Sequence, residues 1–233
     1  MEELQEVLTA MRREADSAGV AIVTGDTKVV PRGKGDKIFI NTTGVGVMDK
    51  PLQRSPIEKG DKIIVSGSIG DHGITIMAQR GELSFSQGLV SDCAHLNHLI
   101  DEVIAAYPES IRFMRDATRG GVASVLNEIV KGEEYSIGLR EEDVPVKAEV
   151  QGICDILGLD PLYVANEGKV LFIVKGEDAD AIVEIIKSND KGQDAAIIGE
   201  VTDQFPGKTY VETEVGGRRL LPLLLEEQLP RIC

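Results

Sequence analysis

Residues 162–201 read LYVANEGKVLFIVKGEDADAIVEIIKSNDKGQDAAIIGEV, and this stretch decides the fold class. It opens with a short strand at 162–165, and a second strand at 168–175 follows after a brief turn. Residues 179–187 form a helix, and 195–201 return as a strand. Outward from there the same mixture continues. A strand at 63–66 runs into a glycine-rich bend at 67–73 and a helix at 74–80. Helices follow at 97–106, closed by Pro108, at 122–131 and at 150–157, and residues 208–214 form one arm of an edge hairpin. The elements alternate without regular βαβ spacing, and several strand pairs are parted only by short turns. An α+β fold is expected, not a doubly wound sheet.

Upstream, Leu4, Val7, Leu8, Met11 and Ala15 are spaced as one face of a helix over 4–18, with Gly19 as its stop. Strands are expected at 20–23, continued past a glycine bend by 25–30, and at 37–43. A turn-rich loop at 31–36 separates them. Residues 49–60 carry Pro51, Pro56 and several charges, and read as a linker. This places one unit at 1–57 and a second at 58–233, with a mobile tail at 226–233. One helix and two strands are too little to bury a core. The first unit therefore either packs on the second or is the later half of a domain whose first half is absent, and the latter is expected.

The chain has 233 residues, 42% of them hydrophobic, and a net charge of −14. That balance fits a folded protein and argues against nucleic acid or an anionic membrane as partner. It would also repel ATP unless backbone amides, a few cations and a metal ion offset it. No apolar run is long enough to span a bilayer, and the start has neither a basic nor an apolar leader region, so a cytoplasmic protein is expected. Cys93, Cys154 and Cys233 are an odd number without CxxC spacing, which supports neither a disulfide framework nor structural zinc. Cys93 and Cys154 sit in apolar-flanked segments and are expected in the core.

Four segments carry chemistry. Gly25-Asp26-Thr27-Lys28 offers hard oxygens for magnesium and an ammonium for phosphate, or else a turn capped by Asp26 and Thr27. Asp116, Thr118, Arg119, Gly120 and Gly121 precede a helix. They could present a carboxylate to a metal, and a guanidinium and amides to phosphate; an ordinary capped helix start is the alternative. Glu167, in Asn166-Glu167-Gly168-Lys169, is either a general base or a surface turn residue. His72, in Gly70-Asp71-His72-Gly73, reads more readily as a solvated or satisfied histidine. Finally, Cys233 is the last residue, with no chain beyond it to fold over its thiol.

Together VTGDTKVV (23–30), RDATRGGV (115–122), ANEGK (165–169) and the terminal PRIC (230–233) resemble the HypE family, the carbamoyl dehydratases of nickel–iron hydrogenase maturation. The resemblance runs along the whole chain, in order. It implies the two-domain architecture of the aminoimidazole ribonucleotide synthetase superfamily, which also holds thiamine-monophosphate kinase and selenophosphate synthetase. Here the N-terminal domain would be truncated and the C-terminal α/β sandwich complete. It implies ATP and Mg2+ as cofactors, with magnesium on Asp26 and Asp116. Gly25, Thr27, Thr118, Arg119, Gly120 and Gly121 would contact the nucleotide. Cys233 would carry the carbamoyl group, with Lys28 and Glu167 removing protons as it becomes a thiocyanate. The implied partners are the HypF carbamoyltransferase, the HypC–HypD scaffold and a second copy in a homodimer. Because the first half of the N-terminal domain is missing, the chain alone is expected to be inactive. Two other readings stay open: a different ATP-using kinase or synthetase of the superfamily, and a non-catalytic docking fragment.

Overall fold

The computed structural model describes residues 2–35, 37–47, 55–80 and 88–224. It divides into two compact units, Met1–Leu52 and Gln53–Cys233.

In the first unit, helix α1 (Glu2–Ser17) keeps Leu4, Val7, Met11 and Ala15 half-buried on one face. Gly19, at φ 68°, ends it as expected. Its N–H donates to Asp16 O at 3.2 Å, and Val20 N–H donates to Ala15 O at 2.9 Å, so the last carbonyls are satisfied. The expected loop contains a turn in which Lys34 N–H donates to Pro31 O. The strands expected at 20–23, 25–30 and 37–43 are absent among the described residues. The reason is physical: a β-rich sequence becomes a strand only beside a partner that takes its N–H and C=O groups. Here Val23 is 88%, Phe39 81% and Val45 98% exposed.

The second unit runs β1 (Lys62–Val65), α2 (Asp71–Gln79), α3 (Asn97–Ala106), β2 (Ile111–Asp116), α4 (Gly121–Val130), β3 (Ser136–Arg140), α5 (Ala148–Leu157), β4 (Val170–Val174), α6 (Ala179–Ser188), β5 (Ala196–Thr202), β6 (Thr209–Glu212) and β7 (Arg218–Leu221). The strands form one sheet in the order β2-β4-β1-β5-β3-β6-β7. Every pairing is antiparallel except β3 with β6, so the α+β expectation holds. Strands β2, β3 and β7 were not legible in sequence: Arg112, Arg115, Arg218 and Arg219 interrupt two of them, and both of those lie at sheet edges.

Side-chain alternation explains the layers. Ile63, Val65, Leu171 and Ile173 point to one face, where Val122, Val125, Leu126 and Val130 of α4 cover them. Ile64, Val170, Phe172 and Val174 point to the other, under Leu99 and Val103 of α3 and Ile182 and Ile186 of α6. A smaller core joins α2 to α5 through Ile74, Met77, Val150, Ile153 and Cys154.

Of residues 162–165, expected as a strand, Leu162 and Tyr163 instead lie in a 3-10 turn, Pro161–Tyr163, and Val164 and Ala165 leave it outside any strand. Pro161 has no N–H to give a ladder, Asp160 Oδ1 takes the Leu162 N–H at 3.0 Å, and Val164 N–H donates back to Pro161 O. The backbone is thus satisfied locally. Cys154 is buried as expected, whereas Cys93 is exposed; its apolar neighbours do not carry it into the core.

Candidate functional site

Strands β1 and β2 both run antiparallel to β4, so their C-terminal ends meet its N-terminal end, with Val65 opposite Leu171 and Asp116 opposite Val170. Three loops leave the sheet there: 66–70 into α2, 117–120 into α4, and 165–169 into β4. Asn166 binds them together. Its Oδ1 accepts the Gly70 N–H at 2.8 Å, its Nδ2 donates to Ala117 O and Val164 O, and its own N–H donates to Ala117 O. The side chain is fully buried with both ends satisfied, as a polar group in an interior must be.

The loop before α4 carries the residues expected to meet nucleotide. Asp116 is exposed, and Thr118 Oγ1 donates to its Oδ2 at 3.1 Å, so carboxylate and hydroxyl face the same space. Arg115 is turned to Glu128, while Arg119 is exposed and has no ion-pair partner among the described residues. Gly120 (φ 66°) and Gly121 (φ 61°) are both left-handed. At Gly121 a Cβ would sit 2.5 Å from Leu162 O and 2.7 Å from Val164 O, so only glycine lets α4 start against that segment. The Gly121 N–H closes the turn on Thr118 O at 3.3 Å. Gly121 therefore shapes the loop more than it offers a donor.

Glu167 is held from beneath. Its N–H donates to Asp92 Oδ1 at 3.0 Å, and its Oε1 is buried with no hydrogen-bond partner among the described residues. Lys169 Nζ lies 3.3 Å from Asp92 Oδ2, an ion pair without hydrogen-bond alignment. Beside it, buried Asp71 accepts from Ser68 Oγ at 2.6 Å and from Lys147 Nζ at 2.8 Å. That hydrogen bond raises the Lys147 pKa, so the ammonium stays charged. His72, expected as a solvated or satisfied residue, is buried and only partly satisfied. Its Nδ1 lies 2.9 Å from Ser91 Oγ and 3.5 Å from Cys93 Sγ, and Nε2 has no partner among the described residues.

Asp116, Thr118, Arg119, Gly120 and Gly121 thus share one end of the sheet with Glu167. Gly25, Asp26, Thr27 and Lys28 belong to the first unit and are all exposed. There Asp26 Oδ1 accepts the N–H of the next residue, Thr27, at 2.8 Å. Cys233 and the expected tail at 226–233 lie outside the described residues. Among those described, no three His, Cys, Asp or Glu side chains are placed to hold a metal ion. The donor set still suits magnesium, which commonly takes one or two carboxylates and completes its shell with water and phosphate. Asp92, Asp71, Ser68 and Lys147 were missed in the sequence. The available signal was the glycine-rich bend at 67–73, which holds both Ser68 and Asp71.

The chain matches two family models, the AIR synthase related protein C-terminal domain over residues 58–212 and its N-terminal domain over residues 1–48. It is 45% identical over 232 residues to the carbamoyl dehydratase HypE of Rhodobacter capsulatus, covering 99% of this chain and 68% of the relative. Its fold is similar to HypE in a HypE–HypF complex, with a TM-score of 0.87 and 43% identity over 95% of this chain and 72% of that one. It is equally similar to HypE in complex with ATP, with a TM-score of 0.87 and 40% identity over 100% of this chain and 71% of that one. Long, contiguous similarity at this identity, in sequence and in fold alike, leaves one assignment: the chain belongs to the HypE family of carbamoyl dehydratases.

Proposed function

We propose that the chain carries out the ATP-dependent dehydration of an S-carbamoyl group on Cys233 to a thiocyanate, S–C(=O)–NH2 becoming S–C≡N with loss of water. The cyanide group would serve the iron of a nickel–iron hydrogenase. The observation that carries this reading is Glu167: a carboxylate whose Oε1 is buried and unpartnered among the described residues, next to Asn166, which bonds Ala117 of the loop that exposes Asp116 and Arg119.

When bound, ATP with magnesium supplies the phosphoryl group that turns the carbamoyl oxygen into a leaving group. Asp116, oriented by Thr118, gives magnesium a hard oxygen. Arg119 offers its fork to phosphate together with the Gly120 amide at the start of α4. Both protons must leave the carbamoyl nitrogen, and Glu167 is the base for this step. In the first unit, Asp26 would offer a metal ligand, Thr27 a nucleotide contact and Lys28 a further proton acceptor.

Loading of Cys233 falls to a HypF-type carbamoyltransferase, the partner class seen with the HypE relative. A HypC–HypD-type scaffold receives the cyanide, and the protein works as a homodimer in the cytoplasm. No helix among the described residues is long and apolar enough to cross a membrane.

The test is Glu167→Gln, which keeps shape and hydrogen bonding and removes the basic oxygen. It is assayed in the chain joined to the part of the R. capsulatus relative outside the match, because the chain alone is expected to be inactive. Mass spectrometry of the Cys233 peptide should find the carbamoyl form accumulating with no loss of water. Thiocyanate at the parental rate would return Glu167 to an ordinary turn residue.

A further inference from the structure

Asp92 precedes Glu167 by 75 residues and belongs to none of the motifs that mark the site. Its side chain is 1% exposed, and the Lys169 side chain 10%. A carboxylate so deeply buried is costly unless paired and hydrogen-bonded. Among the described residues, the hydrogen bond and the ion pair of the Asp92 side chain both go to one turn. Oδ1 accepts the Glu167 N–H at 3.0 Å, and Oδ2 faces the Lys169 ammonium at 3.3 Å. Between them Gly168 lies so close under the Asp92 carbonyl oxygen that a Cβ there would overlap it. Three consecutive residues are thus registered by one. The segment is itself anchored: Ser91 Oγ meets His72 Nδ1 at 2.9 Å on α2 and accepts the Cys93 N–H at 3.2 Å.

We propose that Asp92 is a positioning residue for the dehydration step, holding the Glu167 backbone so that its free carboxylate oxygen meets the carbamoyl nitrogen. The role rests on Glu167 being the base. Proton removal needs acceptor and proton within hydrogen-bond reach, and a misplacement of about 1 Å can cost about a hundredfold in rate. Asn166 anchors one end of this turn, but Gly168 follows the base directly, and on that side it is the Asp92 carboxylate that fixes both the Glu167 amide and the Lys169 ammonium.

Two substitutions separate positioning from mere stabilisation. Asp92→Asn keeps an oxygen for the Glu167 N–H but loses the charge facing Lys169; Asp92→Ala loses both. Single-turnover formation of thiocyanate on carbamoylated Cys233 at saturating MgATP should fall about 10–100-fold in Asp92→Ala. Carbamoyl loading and the KM for ATP should stay unchanged, and Asp92→Asn should recover to within about fivefold of the parent. Amide exchange at Glu167, read in the chain by itself, should be fast in Asp92→Ala and protected in Asp92→Asn. If Asp92→Ala does not fold, Asp92→Ser, too short to reach the amide, takes its place. Equal rate losses in both variants that track their melting temperatures would make the residue purely structural and overturn the proposal, as would parental turnover in Asp92→Ala. Glu167→Gln run alongside tells the failures apart. Parental turnover there removes the base itself, while a block there with normal Asp92→Ala removes only the role of Asp92.

Discussion

Glu167 and Lys169 stand two positions apart on one turn, yet one ends in a carboxylate oxygen without a partner among the described residues and the other in a buried ion pair. The difference comes from Asp92, whose negative charge draws the ammonium and whose Oδ1 occupies the Glu167 amide without touching its side chain. The two described cysteines divide in the same way. Cys93 is exposed beside His72, while Cys154 is buried between α2 and α5, where burial pushes its pKa up to about 11. A thiol whose folded pKa lies above its unfolded value lends stability that is intact below the unfolded pKa and is lost as pH rises through the folded one. Cys154 should therefore help the fold at neutral pH and cease to do so between about pH 9 and 11. With iodoacetamide at pH 8, Cys93 should be alkylated in the folded protein, and Cys154 only on unfolding. Peptide mass spectrometry reads both, and alkylation of folded Cys154 at the rate of Cys93 would contradict the packing described.

At the scale of elements, the site is the meeting of three strand ends, and close backbone approach holds them there. Gly168 lies beneath the Asp92 carbonyl and Gly121 against the carbonyls of Leu162 and Val164, the latter at φ 61°. Gly168→Ala and Gly121→Ala should each cost about 2–4 kcal/mol, through overlap with backbone that cannot swing aside and, at Gly121, a strained φ as well. Gly152 makes the internal control. It lies in α5 with open space around its Cα, so Gly152→Ala should stabilise by about 0.5–1 kcal/mol through helix propensity. Denaturant midpoints give all three, and a Gly168→Ala protein as stable as the parent would mean that the Asp92 segment can retreat from the turn.

At the scale of the molecule, the two units contrast in how well they cover their apolar residues. Gln53–Cys233 buries both faces of its sheet, whereas every described residue of 21–47 is exposed, Val23, Val29, Phe39, Val45 and Val47 most of all. Large apolar side chains left exposed in this number lead us to expect that more protein packs on them. The chain spans 68% of the R. capsulatus relative. Joining the chain to the portion of that relative outside the match should slow amide exchange over 20–47 by tenfold or more, roughly 1.4 kcal/mol of local protection, and tighten MgATP binding. Unchanged exchange there would show that these residues do not find their strand partners in that portion.

Some of this was settled by local chemistry alone. α1 and its glycine stop, α3, α5, α6 and the strands β1, β4 and β5 follow from periodicity and capping within a dozen residues, and so does the α+β class. The candidate chemistry of 115–121 and 166–169 was legible because acid, base and glycine stand adjacent in the chain. Tertiary structure decided the rest. Residues 162–165, 20–23, 25–30 and 37–43 have strand-like composition, but a strand exists only where another backbone accepts its hydrogen bonds, and local sequence does not encode that partner. The same holds for Asp92. Its bond to Glu167 is made across 75 residues of chain, and only the folding of β1, β2 and β4 onto one sheet brings that carboxylate under the turn it holds.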